Sequence, residues 1–370
     1  MATKIPQRHN ATTPICMLIE KSIKEDCIGL LKRLIATQSF SREEQHTGDL
    51  IESFLKANEA KTERLGNNII ARSKKWSPLK PTILLNSHHD TVKPASGYTK
   101  DPFNPEISNG KLFGLGSNDA GGSLVALMAT FLHLHDHDLP YNLIFVASAE
   151  EEISGPNGIA KVRDQIAPIA LGIIGEPTQM RMAIAEKGLM VVDGEAKGES
   201  GHAAREEGVN ALYIALKDID WIKNHQFDKV SEVLGKTKMT VTQIKAGTQH
   251  NVVPDSCKFV IDVRTNEEYS NQEVFEILQQ HTDSELKARS FRLNSSKIAL
   301  DHPIVLKGLA MGLPYYGSPT LSDQALLPFT TIKIGCGKSA RSHTADEFIY
   351  LKEIEEGIRI YLQLLKGLKI

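Results

Sequence analysis

Four times in this sequence a short apolar run of strand length gives way to an ionisable cluster. Thr82–Leu85 leads into Ser87-His88-His89-Asp90-Thr91, and Leu143–Ala147 into Ala149-Glu150-Glu151-Glu152. Ile169–Ile174 leads into Gly175-Glu176-Pro177-Thr178, and Thr330–Gly335 is followed by Ser342-His343-Thr344. Between the first two runs stands Gly114-Leu115-Gly116-Ser117-Asn118-Asp119-Ala120-Gly121-Gly122, a glycine-rich turn that opens into an apolar helix, Gly122–Leu134. Continuous apolar runs of this length suit strands buried on both faces. Strands alternating with helices predict an α/β core with helices packed on a mainly parallel sheet. In such sheets the ligand crevice lies past the carboxyl ends of the strands, where the four clusters fall.

The rest of the chain fits around that core. Residues 1–16 read as a loose polar tail. A helix follows with Ile19, Ile23, Cys27, Leu30, Leu31 and Leu34 at helical spacing, and a second begins at Ser41, where Ser41 and Glu44 match a capping box. The texture changes near Met180. Gly188–Lys197 and Lys238–Ala246 read as antiparallel strands, and Phe259, Ile261 and Val263 alternate with Val260, Asp262 and Arg264. Helices are predicted over Gly208–Lys223 and Asn271–Leu286, the latter capped by Ser270 with Glu273. Residues 181–290 therefore form a small inserted α+β domain, and 1–180 with 291–370 the main one. The α/β pattern then resumes with a helix around Ile304–Gly312, the strand Thr330–Gly335 and a terminal helix Leu351–Leu368.

Length and charge narrow the class. At 370 residues the chain exceeds one ordinary core. Its 43 Lys+Arg against 45 Asp+Glu leave a net charge of −2, with neither a basic footprint for nucleic acid nor a polybasic patch for a membrane surface. The apolar runs are too short to span a bilayer, and the N-terminus lacks a secretory apolar stretch. Cys16, Cys27, Cys257 and Cys336 are scattered without paired spacing, which favours a reducing, cytoplasmic compartment.

Taken singly the clusters have bland readings: three consecutive Glu suit a solvated helix start, and a His after a strand is commonly structural. Converging on one crevice, they supply two imidazoles and several carboxylates, a donor set for borderline divalent metals such as zinc. His89 points away from His88 if the strand continues, toward packing or a supporting place behind the site. His133, His135 and His137 with Asp136 end a helix and read as a polar terminus. Gly114-x-Gly116 is not a dinucleotide fingerprint, and neither a P-loop nor a Gly-x-Ser-x-Gly elbow occurs.

With these motifs in this order, the sequence from about Leu18 onward resembles the dizinc metallohydrolase family of acetylornithine deacetylase, succinyl-diaminopimelate desuccinylase, aminoacylase and carboxypeptidase G. The resemblance implies two zinc ions, with cobalt or manganese as substitutes. It implies metal ligands at His88, Asp119, Glu152, Glu176 and His343, Asp119 bridging both ions. It makes Glu151 the general base, Asp90 the carboxylate that orients His88, and Asp119–Ala120 a cis peptide. His202, in Gly201-His202-Ala203-Ala204, matches a motif that in relatives reaches an active site, often the partner subunit's; read alone it is an exposed loop residue. Asn251 and Arg264 match substrate-holding motifs of the lid, an Arg being suited to a carboxylate. An ion pair of Arg264 around Asp262 is the equal alternative. Leu-Asn-Ser-His-His-Asp-Thr-Val-Lys-Pro at Leu85–Pro94 looks most like the acetylornithine deacetylase branch. The resemblance thus implies removal of acetyl or succinyl from the nitrogen of ornithine or citrulline in arginine biosynthesis, by a homodimer acting on a small N-acyl amino acid. Succinyl-diaminopimelate desuccinylase is the alternative, then a dipeptidase or aminoacylase, then a non-catalytic relative. These branches differ in pockets lined from Arg264, Asn251 and the Tyr315–Asp323 loop.

Overall fold

The structure is a computed structural model that describes residues 21–166 and 168–370. The tail 1–16, Cys16 and Ile19 lie outside the described residues. At the centre of the large sheet the strand Thr82–His88 runs parallel to Asn142–Ser148 on one side and to Leu171–Ile174 on the other. Thr331–Lys333 continues the parallel set beside Leu171–Ile174. The outer strands are Lys61–Leu65 and Asn68–Arg72 at one margin, and Met182–Glu186 with Ser296–Lys297 and Tyr315–Ser318 at the other. Their pairing is antiparallel except for Tyr315–Ser318, so the sheet is mixed with a parallel middle.

Every residue of Thr82–His88 and Asn142–Ser148 is buried, as continuous apolar runs require when helices cover both faces. On one face the helix Gly122–Leu134, apolar nearly all round, packs among Leu30, Leu31, Ile358 and Tyr361 of the flanking helices Lys21–Ile35 and Leu351–Leu365. On the other, Ile159–Ile166 covers Ile70, Leu84, Ile144 and Val146. Register then does the positioning. His88 pairs level with Ser148, and Asn86 level with Ile174. The residues that follow each strand therefore emerge along one edge.

A second, four-stranded sheet has the order Lys238–Ala246, Ser256–Arg264, Met190–Lys197, Glu285–Ala288, all antiparallel. The alternation predicted for Phe259, Ile261 and Val263 holds: these side chains meet the helices Ala211–Asn224 and Asn271–His281, while their neighbours face outward. A third sheet joins Phe348–Tyr350, Lys111–Phe113 and Glu106–Ser108.

Several predicted elements are corrected. The helix expected to reach Leu286 ends at His281, because the Asp218 carboxylate accepts the N–H groups of Asp283 and Ser284 (3.0 and 2.9 Å) and draws the chain aside. Glu285–Ala288 then adds to the edge of Met190–Lys197. Ser41 and Glu44 do not cap the second helix, Gln45–Ala57. Ser41 Oγ donates to Asp90, and Glu44 accepts the N–H groups of Arg42 and Glu150, so both side chains serve the loops of the strand edge. Met182–Glu186 and Ser296–Lys297 pair within the large sheet.

The Ser270 cap is complete: its hydroxyl accepts the Glu273 N–H while Glu273 accepts the Ser270 N–H. Ser270→Ala should therefore cost about 1 kcal/mol of stability in urea unfolding followed by far-UV circular dichroism. Ser41→Ala, which removes no helix cap, should leave the helical signal of the native protein unchanged.

Candidate metal centre

Asp119 ends the glycine-rich turn just before the buried helix Gly122–Leu134, and its peptide bond to Ala120 is cis. One carboxylate oxygen, Oδ1, stands 3.4 Å from His88 Nε2, and the other, Oδ2, stands 3.5 Å from His343 Nε2. His343 Nε2 also lies 3.0 Å from Glu152 Oε2. On the far side of His88, Glu151 and Glu176 each place an oxygen 3.9 Å from its Nε2. The donors of His88, Asp119 and Glu152 converge within 4.8 Å of one another, and so do those of His88, Glu151 and Glu176. His343 is the exposed member of the set, its side chain 54 % accessible, in a turn with φ of 58°.

Electrostatics follow from this crowding. Burial, then the charges of Glu176 and Asp323, pushes the Glu151 carboxyl well above its usual range. Burial likewise raises Glu152, and lifts Glu176 to about 8. Burial alone would depress the His88 imidazole, but Glu151, Asp119 and Asp90 hold it well above 6.5. The hydrogen bond to Glu152 takes His343 up to about 9. Four facing carboxylates in a crevice are costly without positive charge between them.

The donor chemistry fits divalent cations. Two ligands of one tetrahedral zinc, each about 2.0–2.1 Å from it, stand roughly 3.3 Å apart. The His88–Asp119 and His343–Asp119 separations are close to that value. His88 Nε2 and Glu176 Oε1 are buried and have no hydrogen-bond partner, as free ligand atoms would be.

Behind the centre, Asp90 holds three things. Its carbonyl faces His88 Nδ1 at 3.0 Å and its carboxylate at 3.4 Å. The same carboxylate accepts the N–H groups of Glu151 and Glu152 (3.0 and 3.2 Å). Glu150, the remaining member of the acidic run, turns away and accepts from Asn157. His89 is buried between Thr47 Oγ1 and the Asn67 carbonyl.

Sequence reasoning missed Asp323. Its buried Oδ2 accepts from Asn86 Nδ2 (2.8 Å) and Ser148 Oγ (2.7 Å), joining the ends of the two strands that deliver His88 and Glu151. Burial raises it to about 6. It also missed the buried pair Lys333–Glu186 (2.8 Å), which Ser322 Oγ completes from the neighbouring loop. Both pairings join residues far apart in sequence, and no local pattern announces them. The cleft beside the carboxylates, about 220 Å³, is closed by Thr178, Tyr316, Thr320, Leu321 and Lys333, which brings in the Tyr315–Asp323 loop. A larger groove of about 850 Å³ lies on the small sheet near Ile244, Val260 and Leu286 but holds no comparable donor set.

The structure does not bring His202, Asn251 or Arg264 into the lining of this cleft. His202 is exposed and its Nδ1 accepts the Ala204 N–H (3.1 Å). Asn251 is exposed, with its carbonyl accepting from Ala203. Arg264 is held two-fold by Asp262 (2.8 and 3.0 Å), the ion-pair alternative of the sequence reading. His133 and His137 stack on one another at 5.6 Å, and neither lines the cleft.

Comparison with known proteins agrees with this geometry. The model of the family described as Peptidase family M20/M25/M40 matches residues 84–367. An acetylornithine deacetylase of Proteus mirabilis is 28 % identical over 379 residues, 92 % of this chain and 96 % of that one. An uncharacterized metallohydrolase of Methanocaldococcus jannaschii is 28 % identical over 291 residues, 75 % of this chain and 80 % of its own length. A succinyl-diaminopimelate desuccinylase of Xylella fastidiosa is 27 % identical over 54 % of this chain and 58 % of that one. Among solved structures, an aminopeptidase PepT of Bacillus cereus superposes with a TM-score of 0.74 at 18 % identity, over 93 % of this chain and 98 % of that one. A dinuclear metal-binding M20 peptidase of Bacillus subtilis gives 0.71 at 15 % identity, over 94 % and 98 %. At such identities the structural likeness shows the fold.

If these donors hold cations, Zn(II) at 100 times its dissociation constant should raise the stability of the stripped protein by about 2.7 kcal/mol per site. Thermal unfolding with and without a chelator measures it. Asp119→Asn, which weakens both positions, should lose most of that shift, and an undiminished shift would remove Asp119 from the ligand set.

Proposed function

The chain belongs to Peptidase family M20/M25/M40, and on that premise we propose a two-metal amidohydrolase that removes acetyl or succinyl from the nitrogen of an amino acid of the ornithine or citrulline type. The observation that carries the reading is Asp119, one oxygen toward His88 and the other toward His343, with Glu151 beside them. His88, Asp119 and Glu176 would hold one ion, and Asp119, Glu152 and His343 the second. We take zinc as the native metal, since two imidazoles with carboxylates suit it. A metal pair held there supplies Lewis acidity and brings the pKa of bound water toward neutrality.

The remaining steps belong to the chain. The Glu151 carboxylate accepts a proton from the attacking water as its oxygen bonds to the amide carbonyl carbon. The same carboxyl then returns that proton to the amide nitrogen, the C–N bond breaks, and the free acid and amine leave. Asp90 keeps Glu151 in place through the backbone N–H it accepts. The wall of Thr178, Tyr316, Thr320, Leu321 and Lys333 would receive the acyl side. We assign Arg264 to the substrate α-carboxylate, on exchanging its Asp262 partner, Asn251 to holding substrate, and His202 to the oxyanion. Because those three lie outside the cleft, this assignment makes the inserted unit a lid. It also suits a homodimer, in which the partner's copy of that unit can supply a side chain.

End-to-end similarity to an acetylornithine deacetylase favours the ornithine branch and arginine biosynthesis, and the partial match to a succinyl-diaminopimelate desuccinylase keeps the lysine-pathway substrate as the alternative. The three described cysteines are buried free thiols, and among the described residues no helix is long and apolar enough to cross a membrane. Both features support a cytoplasmic enzyme.

The test is hydrolysis of N-acetyl-ornithine, N-acetyl-citrulline, N-succinyl-ornithine, N-succinyl-citrulline and N-succinyl-diaminopimelate, with and without chelator. Chelator-sensitive turnover of an ornithine or citrulline compound supports the reading and names the acyl group. Turnover of the diaminopimelate compound alone moves the substrate while keeping the chemistry. Glu151→Gln should keep both metals and lose about 10²- to 10⁴-fold in kcat; near-normal turnover would show that Glu151 is not the base.

A further inference from the structure

Glu347 is not in the donor set, yet its carboxylate is buried against the loop that carries Asp119. Its Oε1 accepts the N–H groups of Asn118 (2.8 Å) and Asp119 (2.9 Å), and its Oε2 that of Gly116 (3.2 Å). Its own carbonyl accepts the Gly114 N–H (3.0 Å). Asn118 answers in the other direction. Its Nδ2 donates to the Lys338 carbonyl (3.1 Å) and Ser342 Oγ (3.3 Å), and its Oδ1 accepts the Lys338 N–H (2.9 Å). Contact is close enough to exclude side chains: a Cβ at Gly337, where φ is +80°, would lie 2.4 Å from Asn118 Oδ1. One strip of chain, 114–119, ends in Asp119. The other, 337–347, contains His343.

We propose that Glu347 and Asn118 are positioning residues whose reciprocal hydrogen bonds hold Asp119 and His343 at bridging distance, and so set the affinity of the Asp119–Glu152–His343 metal position separately from that of His88–Asp119–Glu176. The inference rests on the two-metal reading of the site. The asymmetry comes from where the ligands stand. Two of the three ligands of the His343 position lie on the clasped strips. In the other position only Asp119 does; His88 ends the strand Thr82–His88, and Glu176 follows Leu171–Ile174, both anchored in the parallel centre of the sheet. A carboxylate is the side chain for this task, since its two oxygens accept three N–H groups at once, and a charged acceptor bonds more strongly than a neutral one. Loosening the clasp frees His343, already the exposed ligand, before it frees His88.

The experiment is calorimetric titration of metal-stripped wild type, Glu347→Gln and Asn118→Ala with Zn(II), alongside thermal unfolding of the stripped proteins. Tyr141→Phe serves as a control for general destabilisation. It removes a buried hydrogen bond to the Leu365 carbonyl (2.7 Å) at the amino end of Asn142–Ser148, the end opposite the site. Wild type should take up two ions. In both clasp variants one ion should bind as before and the other about 10- to 100-fold more weakly, the usual cost of removing a partner behind a ligand. Tyr141→Phe should unfold at lower temperature with both affinities intact. Equal weakening of both positions, or of neither, overturns the proposal. Should Glu347→Gln not fold, Asn118→Ala, which keeps every Glu347 bond, decides alone. A wild type that takes up fewer than two ions overturns the two-metal reading and this inference with it, and that result is seen before any variant is compared.

Discussion

The carboxylate of Asp119 faces two imidazoles at once, and the arrangement of both the sheet and the loops keeps it there. Behind it runs Gly122–Leu134, a helix buried on nearly every side between the sheet and the helices Lys21–Ile35 and Leu351–Leu365. A helix so enclosed has no free face along which to slide, because packed interiors yield little. In front, His88 is fixed by the register of Thr82–His88 against two parallel neighbours. His343 arrives from the C-terminal part of the chain on a turn that is anchored through Asn118 and Glu347. Three separate parts of the sequence therefore meet at one side chain.

Holding so many acids together opposes folding. Glu151, Glu152 and Glu176 are all raised by burial, and Asp323 beneath them is raised as well. The fold offsets this with donors rather than with distance. Asp90 accepts from Ser41, Glu151 and Glu152; Asp323 accepts from Ser148 and Asn86; Glu44 accepts from Arg42, Asn67 and Glu150. Carboxylates satisfied in this way orient the chain around the centre. Those that face the cleft are left for cations. The division explains why consecutive residues differ in use: Glu150 turns to Asn157, while Glu151 and Glu152 face the imidazoles.

Much of the fold was legible because the signals were local. Thr82–Leu85 and Leu143–Ala147 lie within observed strands, Lys238–Ala246 is a strand from end to end, and the Ser270–Glu273 cap is present bond for bond. Where long-range partners competed, the local pattern lost. The helix after Ser270 stops early because Asp218, on another helix, takes the N–H groups of Asp283 and Ser284. The match of Ser41 and Glu44 to a capping box gives way to bonds with Asp90 and Glu150, residues more than forty positions away. At Arg264, open between substrate and ion pair by sequence, the local partner engages it instead: Asp262, two positions back on the same strand.

What the sequence determined alone was the type and order of the chemical groups: apolar strands ending in His88, in Glu151 and Glu152 and in Glu176, a glycine turn ending in Asp119, and a late His343. Strand length, helix period and glycine placement are properties of neighbouring residues, so they can be read along the chain. Tertiary structure alone decided the rest. It made Asp119 face two imidazoles, put Asp323 beneath the strand ends, and set Glu347 against the Asp119 loop. These are pairings between residues as many as 237 positions apart. No local propensity specifies such a contact; it exists only once the sheet register and the packing of the buried helix have brought the two segments together.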